Sequence, residues 1–373
     1  MNLFARGGAR AREHFDWPLF LGVVGIAIIG VVNLYSATSP YIDDPRRSGL
    51  ADMYVQQVYW LVVGGLFGTL AAVVDYRSIE RLAYVFYGLG VTSLLLVFVL
   101  ASDVRGSSRW IEFGRFTFQP SEFMKIFMVL AVARKLAEDP RTEAKTLVEL
   151  APAAFLVALP ALLVGLQPDF GTAMICATCG FTMLALTRLR RSSLVVFFAG
   201  LVPIAWSLWN FGLREYQRDR ILSFLDPEAD RTGTGWHALQ SRTAIGNGGL
   251  WGEGFREGTQ NQFGFLPDQF SDFPFSVFAE DWGFIGCLAL LFLYAFVCAW
   301  AVNIASTAKD RFGAAVAVGV GALLFWHTFF NVGMTIGMLP VVGITLPLFS
   351  YGGSSTLTTM VGFGLLMNIS LRR

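Results

Sequence analysis

Between Arg311 and Arg372 the chain runs through residues 312–371, a stretch of 60, without one Asp, Glu, Lys or Arg. As a single helix it would be about 90 Å long, roughly three times the hydrocarbon thickness of a bilayer. It must therefore fold back as two spans. Pro340 and Pro347 mark the break, because proline disrupts a helix interior. Uncharged windows recur at residues 17–38, 54–74, 82–102, 150–168, 170–187, 192–213 and 282–308. One further apolar window, 118–137, carries Glu122 and Lys125. Each is close to the roughly 20 residues a spanning helix needs. The expectation is an all-α polytopic membrane protein with ten transmembrane helices in a single membrane domain covering residues 1–373.

Composition narrows the function classes. Hydrophobic residues make up 54% of the chain and charged residues 15%, against roughly 25% charged in soluble domains. The 34 Phe and 10 Trp rule out a disordered chain. With 28 basic and 27 acidic residues and no basic stripe, nucleic acid is not an expected partner. Cys176, Cys179, Cys287 and Cys298 read as packed thiols within apolar helices.

Orientation follows from the basic residues. Short segments holding Arg6, Arg10 and Arg12, then Arg77 and Arg81, Arg134 to Lys145, Arg188 to Arg191, Lys309 and Arg311, and Arg372 and Arg373 fall on one side of a ten-span path. Both termini are expected inside, with residues 1–16 a cytoplasmic tail. The first span reads as an anchor, since its apolar run is longer than that of a cleaved leader. Residues 211–273, between helices 7 and 8, form a long extracytoplasmic loop. Its Trp236, Trp251, Phe255, Phe263 and Phe265 argue for an ordered structure, and loops of this length are commonly functional.

Ionisable residues gather at the outer helix starts. Gln119-Pro120-Ser121-Glu122, with Lys125 three residues on, opens the fourth span, and Gln167-Pro168-Asp169-Phe170-Gly171-Thr172 opens the sixth. Residues 266–274, ending in Ser271-Asp272-Phe273-Pro274, open the eighth. Proline and an acid at a helix start can be plain capping, and Glu122 and Lys125 can pair on one helix face. Ionisable groups in spans nevertheless suggest function. Asp272, beside Phe273 and Phe275, is placed to be partly desolvated and to accept a proton from a substrate hydroxyl, or to cap the helix. Arg218 and Arg220, and Arg105 and Arg109 with Trp110 in the loop before the fourth span, suit phosphate oxygens or interfacial anchoring. Glu280 and Asp281 read as helix-start residues with a supporting role. The run Gly246-Asn247-Gly248-Gly249-Leu250-Trp251-Gly252-Glu253-Gly254 lacks the features of a nucleotide loop and suggests flexibility or close approach to a ligand. Residues 350–355 suggest close helix packing or a broken helix. His327 reads as a hydrogen-bonded core residue, and no metal signature is present.

The segments RWIEFGRFTFQPSEFMKI, QPDFGTA, YQRDRILSFLDP, AIGNGGLWGEGFREGTQNQFGFLPDQFSDF and LPLFSYGGSS, in this order, resemble the SEDS family of polytopic membrane proteins, from residue 17 to the end. GTQ followed by FLP favours the rod-shape elongation branch over the division branch. Asp268 and Asp281 stand where glutamate is usual, and Pro274 where an aliphatic residue is common. The resemblance implies peptidoglycan glycosyltransfer: polymerisation of lipid II into β-1,4 glycan strands. It matches Asp272 to the catalytic aspartate, and Trp110, Glu122, Lys125 and Asp169 to functionally important positions around a cavity. It implies a class B penicillin-binding protein as transpeptidase partner, elongation-complex membrane proteins, membrane lipids, and the bacterial cytoplasmic (inner) membrane.

Such a reaction inverts the donor's α-linkage, so one base suffices and the leaving pyrophosphate needs positive charge rather than a proton. Asp272 is the expected base. Arg109, Arg218, Arg220 or Lys125 would meet the pyrophosphate or hold the loop. No cofactor is called for with certainty; a divalent cation such as Mg or Mn could share that charge. The alternatives are a lipid II flippase and a non-catalytic scaffold that activates the transpeptidase.

Overall fold

Asp16 anchors the start of the first helix. Its carboxylate accepts from the Leu19 N–H at 3.3 Å, the Trp300 indole at 2.7 Å and the Ser370 hydroxyl at 2.5 Å. The start of α1 (Trp17–Thr38) is thereby tied to two helices far along the chain. The structure, a computed structural model, describes residues 15–41, 48–100, 102–104, 107–113, 116–139, 143–213, 215–226, 233–266 and 268–373. Within these follow α2 (Met53–Val73), α3 (Tyr76–Leu100), α4 (Pro120–Glu138), α5 (Leu147–Leu166), α6 (Phe170–Leu184) and α7 (Arg191–Ser207). The second half holds α8 (Glu215–Leu225), α9 (Thr234–Asn247), α10 (Pro274–Thr307), α11 (Arg311–Thr335) and α12 (Gly353–Leu371).

Local chemistry explains the helix starts. Thr146 and Glu149 form a capping box on α5, Asp310 caps α11 through the Gly313 N–H, and Pro120 and Pro274 sit in first turns, where their missing N–H costs nothing. Among the described residues seven helices are long and apolar enough to cross a membrane: α1, α2, α3, α5, α10, α11 and α12. The charged α4 and the shorter α6 and α7 occupy the three remaining windows read from the sequence. The chain is thus an all-helical, multi-pass membrane protein in its main body. The uncharged 312–371 stretch breaks between α11 and α12, and the connecting segment contains both Pro340 and Pro347.

α11 and α12 are the central helices. In their most apolar windows 72% and 67% of residues are buried, against 17% for α2, which faces outward. α4 packs against α11, α10 lies against α11 and α1, and α12 crosses α2. The buried layer of the site sits on α4 and α11 beside the start of α10, so it is framed by the best-packed part of the bundle.

One expectation is corrected. The segment before α4 is not a plain loop: β1 (Ser102–Val104), β2 (Ser107–Phe113) and β3 (Phe116–Phe118) form an antiparallel sheet in the order β1-β2-β3. Ile111 pairs with Phe118 and Phe113 with Phe116, which leaves only residues 114 and 115 to connect β2 and β3. The Gly-Arg pair between two alternating runs is the hairpin signal. Arg105 and Gly106 lie outside the described residues.

The glycine run makes its close approach to α10. α10 is broken at Gly283, where φ is 64°. The carbonyls and N–H groups freed there are met by the run: Glu253 N–H donates to Glu280 O at 2.9 Å, Gly254 N–H to Asp281 O at 3.2 Å, and Phe284 N–H to Gly249 O at 2.9 Å. Gly252 has φ of 84°, and a Cβ there would stand 2.1 Å from the Asp281 carbonyl oxygen. Gly252→Ala is expected to destabilise the fold by more than the roughly 1–3 kcal/mol of a left-handed non-glycine residue. Thermal unfolding and faster proteolysis within residues 226–270 would report it; an unchanged melting profile would contradict this packing.

Candidate active site

Asp272 ends the long loop one residue before the helix cap. Phe273, not Asp272, is the N-cap residue of α10, and no side chain caps that end. The acid is therefore not used for capping. Its backbone holds it in place: the Asp272 N–H donates to Asp268 O at 3.1 Å, and its carbonyl accepts from Asn331 Nδ2 of α11 at 2.9 Å. The same Asn331 amide donates to Ile344 O at 2.6 Å, joining α11, the loop end and the α11–α12 connection at one point. Gly343, with φ of 72°, lies under the carboxylate; a Cβ there would come 3.3 Å from Asp272 Oδ2.

The carboxylate is half-buried and its pKa is pushed up to about 6. Burial is the main cause and the nearby Asp268 charge adds to it. A hydrogen bond from Ser271 and the positive charges of Arg109 and Arg220 act in the opposite direction. Such a group is a carboxylate at neutral pH yet a stronger base than an exposed aspartate, as a general base should be.

Asp169 organises the positive side. It caps α6 through the Thr172 N–H at 3.2 Å, accepts from Gln119 Nε2 at 2.9 Å and pairs with Arg109 at 3.2 Å. Arg109 keeps 30% of its side chain exposed while Asp169 keeps 2%. The ion pair thus fixes one guanidinium while leaving part of it open. Arg218 donates to Asn210 O at 3.0 Å, at the end of the α7 segment. Trp110 is half-buried on β2, paired in register with Ser102.

Behind these lies a chain of buried polar groups. Lys125 Nζ is 2.9 Å from Glu122 Oε1 and 2.8 Å from His327 Nε2. His327 Nδ1 is 3.0 Å from the Thr345 carbonyl. That carbonyl can only accept, so Nδ1 carries the ring proton and Nε2 accepts from the ammonium. The pairing of Glu122 and Lys125 is as expected from their spacing, but the third member is not. His327 is hydrogen-bonded, as its sequence setting implied, yet to a charged residue of another helix. The Thr345 hydroxyl meets Ser355 at 3.1 Å and the Gln119 N–H reaches Ser354 at 3.3 Å, so the small residues opening α12 close the same wall.

Asp272, Arg109, Arg220 and Asp169 are linked by contact or mutual charge, and Glu122 and Lys125 form the buried layer. His327, Asn331, Gln119 and Thr345 were not candidates from sequence. Their available signal was polarity at positions 327 and 331, one turn apart on one face of an apolar helix. Glu280 supports the loop: it accepts from the Gln260 and Asn261 N–H groups at 2.9 and 3.2 Å. Asp281 accepts from the Ser36 hydroxyl of α1. Among the described residues no three His, Cys, Asp or Glu side chains converge as a metal-ligand set.

The chain is similar to known proteins over nearly its whole length. Peptidoglycan glycosyltransferase MrdB of Escherichia coli (strain K12) is 37% identical over 367 residues, covering 97% of this chain and 95% of that protein. Peptidoglycan glycosyltransferase RodA of Treponema pallidum (strain Nichols) is 31% identical, covering 98% and 99%. Among solved structures, a chain from work on the structural coordination of polymerization and crosslinking by a peptidoglycan synthase complex superposes with a TM-score of 0.80 at 32% identity, covering 95% of this chain and 97% of that one. The crystal structure of the rod shape determining protein RodA of Thermus thermophilus superposes with a TM-score of 0.69 at 29% identity, covering 95% and 96%. The FtsW/RodA/SpoVE cell cycle protein model matches residues 17–373, and the chain belongs to that family.

Proposed function

We infer that this chain is a peptidoglycan glycosyltransferase that polymerises lipid II into β-1,4 glycan strands during cell-wall elongation. The observation that carries the reading is Asp272: an acid of raised pKa, not used as a cap, held by its backbone beside Arg109 and Arg220. In the reaction the acceptor's 4-hydroxyl oxygen forms the bond to the donor's anomeric carbon. Its proton passes to Asp272, and the anomeric carbon–oxygen bond to the pyrophosphate breaks with inversion. The departing pyrophosphate needs charge stabilisation rather than a proton. Arg109 and Arg220, with Arg218 and Trp110 flanking, would bind the pyrophosphate–sugar. Lys125, 2% exposed and engaged by Glu122 and His327, acts through the wall that carries Asp169 and the α12 start. A divalent cation such as Mg or Mn, arriving with the pyrophosphate, would add charge at the same place.

The same reading extends to architecture and company. Seven apolar helices plus α4, α6 and α7 make ten spans, with both termini inside and residues 211–273 outside. The membrane is the bacterial cytoplasmic (inner) membrane. The partner is a class B penicillin-binding protein, together with elongation-complex membrane proteins. Support comes from the likeness to a chain of a peptidoglycan synthase complex. The test is lipid II polymerisation by the purified protein with a transpeptidase partner that makes no glycan itself. Strands are expected. Their absence under varied divalent ions, with movement of lipid II between vesicle leaflets, would replace this reading by a flippase. Absence of both, with an activated transpeptidase, would replace it by a scaffold.

A further inference from the structure

Far from Asp272, at the other end of α10, three separate chain segments border an open cavity of about 400 Å³ lined by Asp75, Tyr76, Arg77, Lys309 and Arg372. Asp75 to Arg77 lie at the turn between α2 and α3, Lys309 at the turn between α10 and α11, and Arg372 just after α12. The walls are tied together. Arg372 pairs with Asp75 at 2.8 Å, donates to the Val73 carbonyl at 2.9 Å and lies over the Tyr76 ring. The Tyr76 hydroxyl donates to Asp310, which also caps α11 through the Gly313 N–H. Both carboxylates nearest the cavity are therefore already engaged. Arg77 and Lys309 are exposed and form no ion pair among the described residues. The lining thus presents three cations to one acid, and the glycosyltransfer chemistry uses none of them.

We propose that this cavity binds the phosphate headgroup of an anionic phospholipid in the leaflet on the side of the chain termini. The guanidinium of Arg77 supplies a planar fork and Lys309 a mobile point charge, a combination suited to phosphate oxygens. Basic pockets at the membrane edge between helices are where such headgroups are held. The rim separates a lipid from free phosphate. Leu70, Val73 and Val74, at the end of α2, are 58%, 70% and 38% exposed, and Val73 supplies the carbonyl that Arg372 grips. Acyl chains leaving the cavity would run along this apolar surface, which an inorganic ion leaves uncovered. Lipid in this place bridges α2, α3, α11 and the end of α12, and so the two central helices.

The test uses the full chain in nanodiscs of phosphatidylcholine with a minor share of phosphatidylglycerol, with retained lipid counted by native mass spectrometry after transfer to detergent. Wild type is expected to retain phosphatidylglycerol preferentially. In Arg77→Gln/Lys309→Gln the preference should fall by about 25-fold, about fivefold for each cation lost at an anionic surface. The charge-conserving exchange Arg77→Lys/Lys309→Arg should keep most of it. A photo-crosslinkable phosphatidylglycerol should attach to wild type around residues 70–77 and 309, a readout that needs no variant to fold. No preference in wild type, an unchanged preference in the Gln variant, or attachment elsewhere would each overturn the site. Inorganic phosphate displacing the lipid as readily as phosphatidylglycerol itself does would overturn the lipid assignment in favour of a small-anion site. Polymerase activity plays no part in these outcomes, so they stand or fall separately from the proposed function.

Discussion

Asp272→Ala is expected to lower lipid II polymerisation by about 10²–10⁴-fold, the usual contribution of a positioned general base, with folding and partner binding retained. The structure explains why the loss should be confined to turnover. Apart from a side-chain hydrogen bond with the neighbouring Ser271, Asp272 is held through its backbone, by Asp268 and Asn331, and alanine keeps that backbone. The pH profile supplies an independent check. The base works as the carboxylate, and its pKa is pushed up to about 6. Turnover per substrate encounter should therefore be at its plateau above pH 7 and fall as the pH drops through about 6. Neighbours should move that limb in opposite directions. Removing the Asp268 charge with Asp268→Asn lowers the limb, and removing a cation with Arg220→Gln raises it, because each takes away one of the charges Asp272 feels. Wild-type polymerisation by Asp272→Ala, or a flat profile from pH 5 to 8, would remove Asp272 from the role of base.

The largest effect on stability is expected from Lys125→Met. The change leaves the Glu122 carboxylate buried without its cation and His327 Nε2 without its donor. Stranding one member of a buried pair costs about 3–5 kcal/mol, enough to threaten a fold of ordinary stability. Adding Glu122→Gln to Lys125→Met should recover much of the loss, because the stranded charge goes with it. His327→Ala should be milder, about 1–3 kcal/mol for one unsatisfied buried group, since the Lys125–Glu122 pair survives. Thermal unfolding of wild type, Lys125→Met, Glu122→Gln and the double variant in one nanodisc composition gives a double-mutant cycle, with His327→Ala measured alongside. Equal melting of Lys125→Met and the double variant would show that the two charges do not depend on each other.

These two predictions draw on different kinds of information. The Glu122–Lys125 pair and the cap at Asp169 were legible from local spacing, since residues three apart meet on one helix face whatever surrounds them. The contact that makes Lys125 part of a site, with His327, joins residues 202 apart in sequence, and Asn331 reaches Asp272 across 59. Nothing local encodes either. The three-stranded sheet before α4 was missed because each strand is short and its alternation lies inside a segment whose arginines and aromatics suggested interfacial anchoring. The glycine run was read as a place of close approach. Its partner is the backbone freed where α10 breaks at Gly283, which no local pattern announces, and which Gly252 approaches too closely for a Cβ.

The span windows and the gathering of acids at helix starts could be read from the chain alone, because a bilayer imposes its length and its intolerance of charge on each helix separately. α1 falls on residues 17–38, the window read for it. Which helices adjoin could not be read, because a face that meets lipid and a face that meets protein are equally apolar. Placing α4, α11 and the loop end around Asp272, and gathering Arg77, Lys309 and Arg372 at the far end of α10, was settled by packing among residues distant in sequence. Those contacts convert scattered ionisable residues into an acid of raised pKa and a basic cavity.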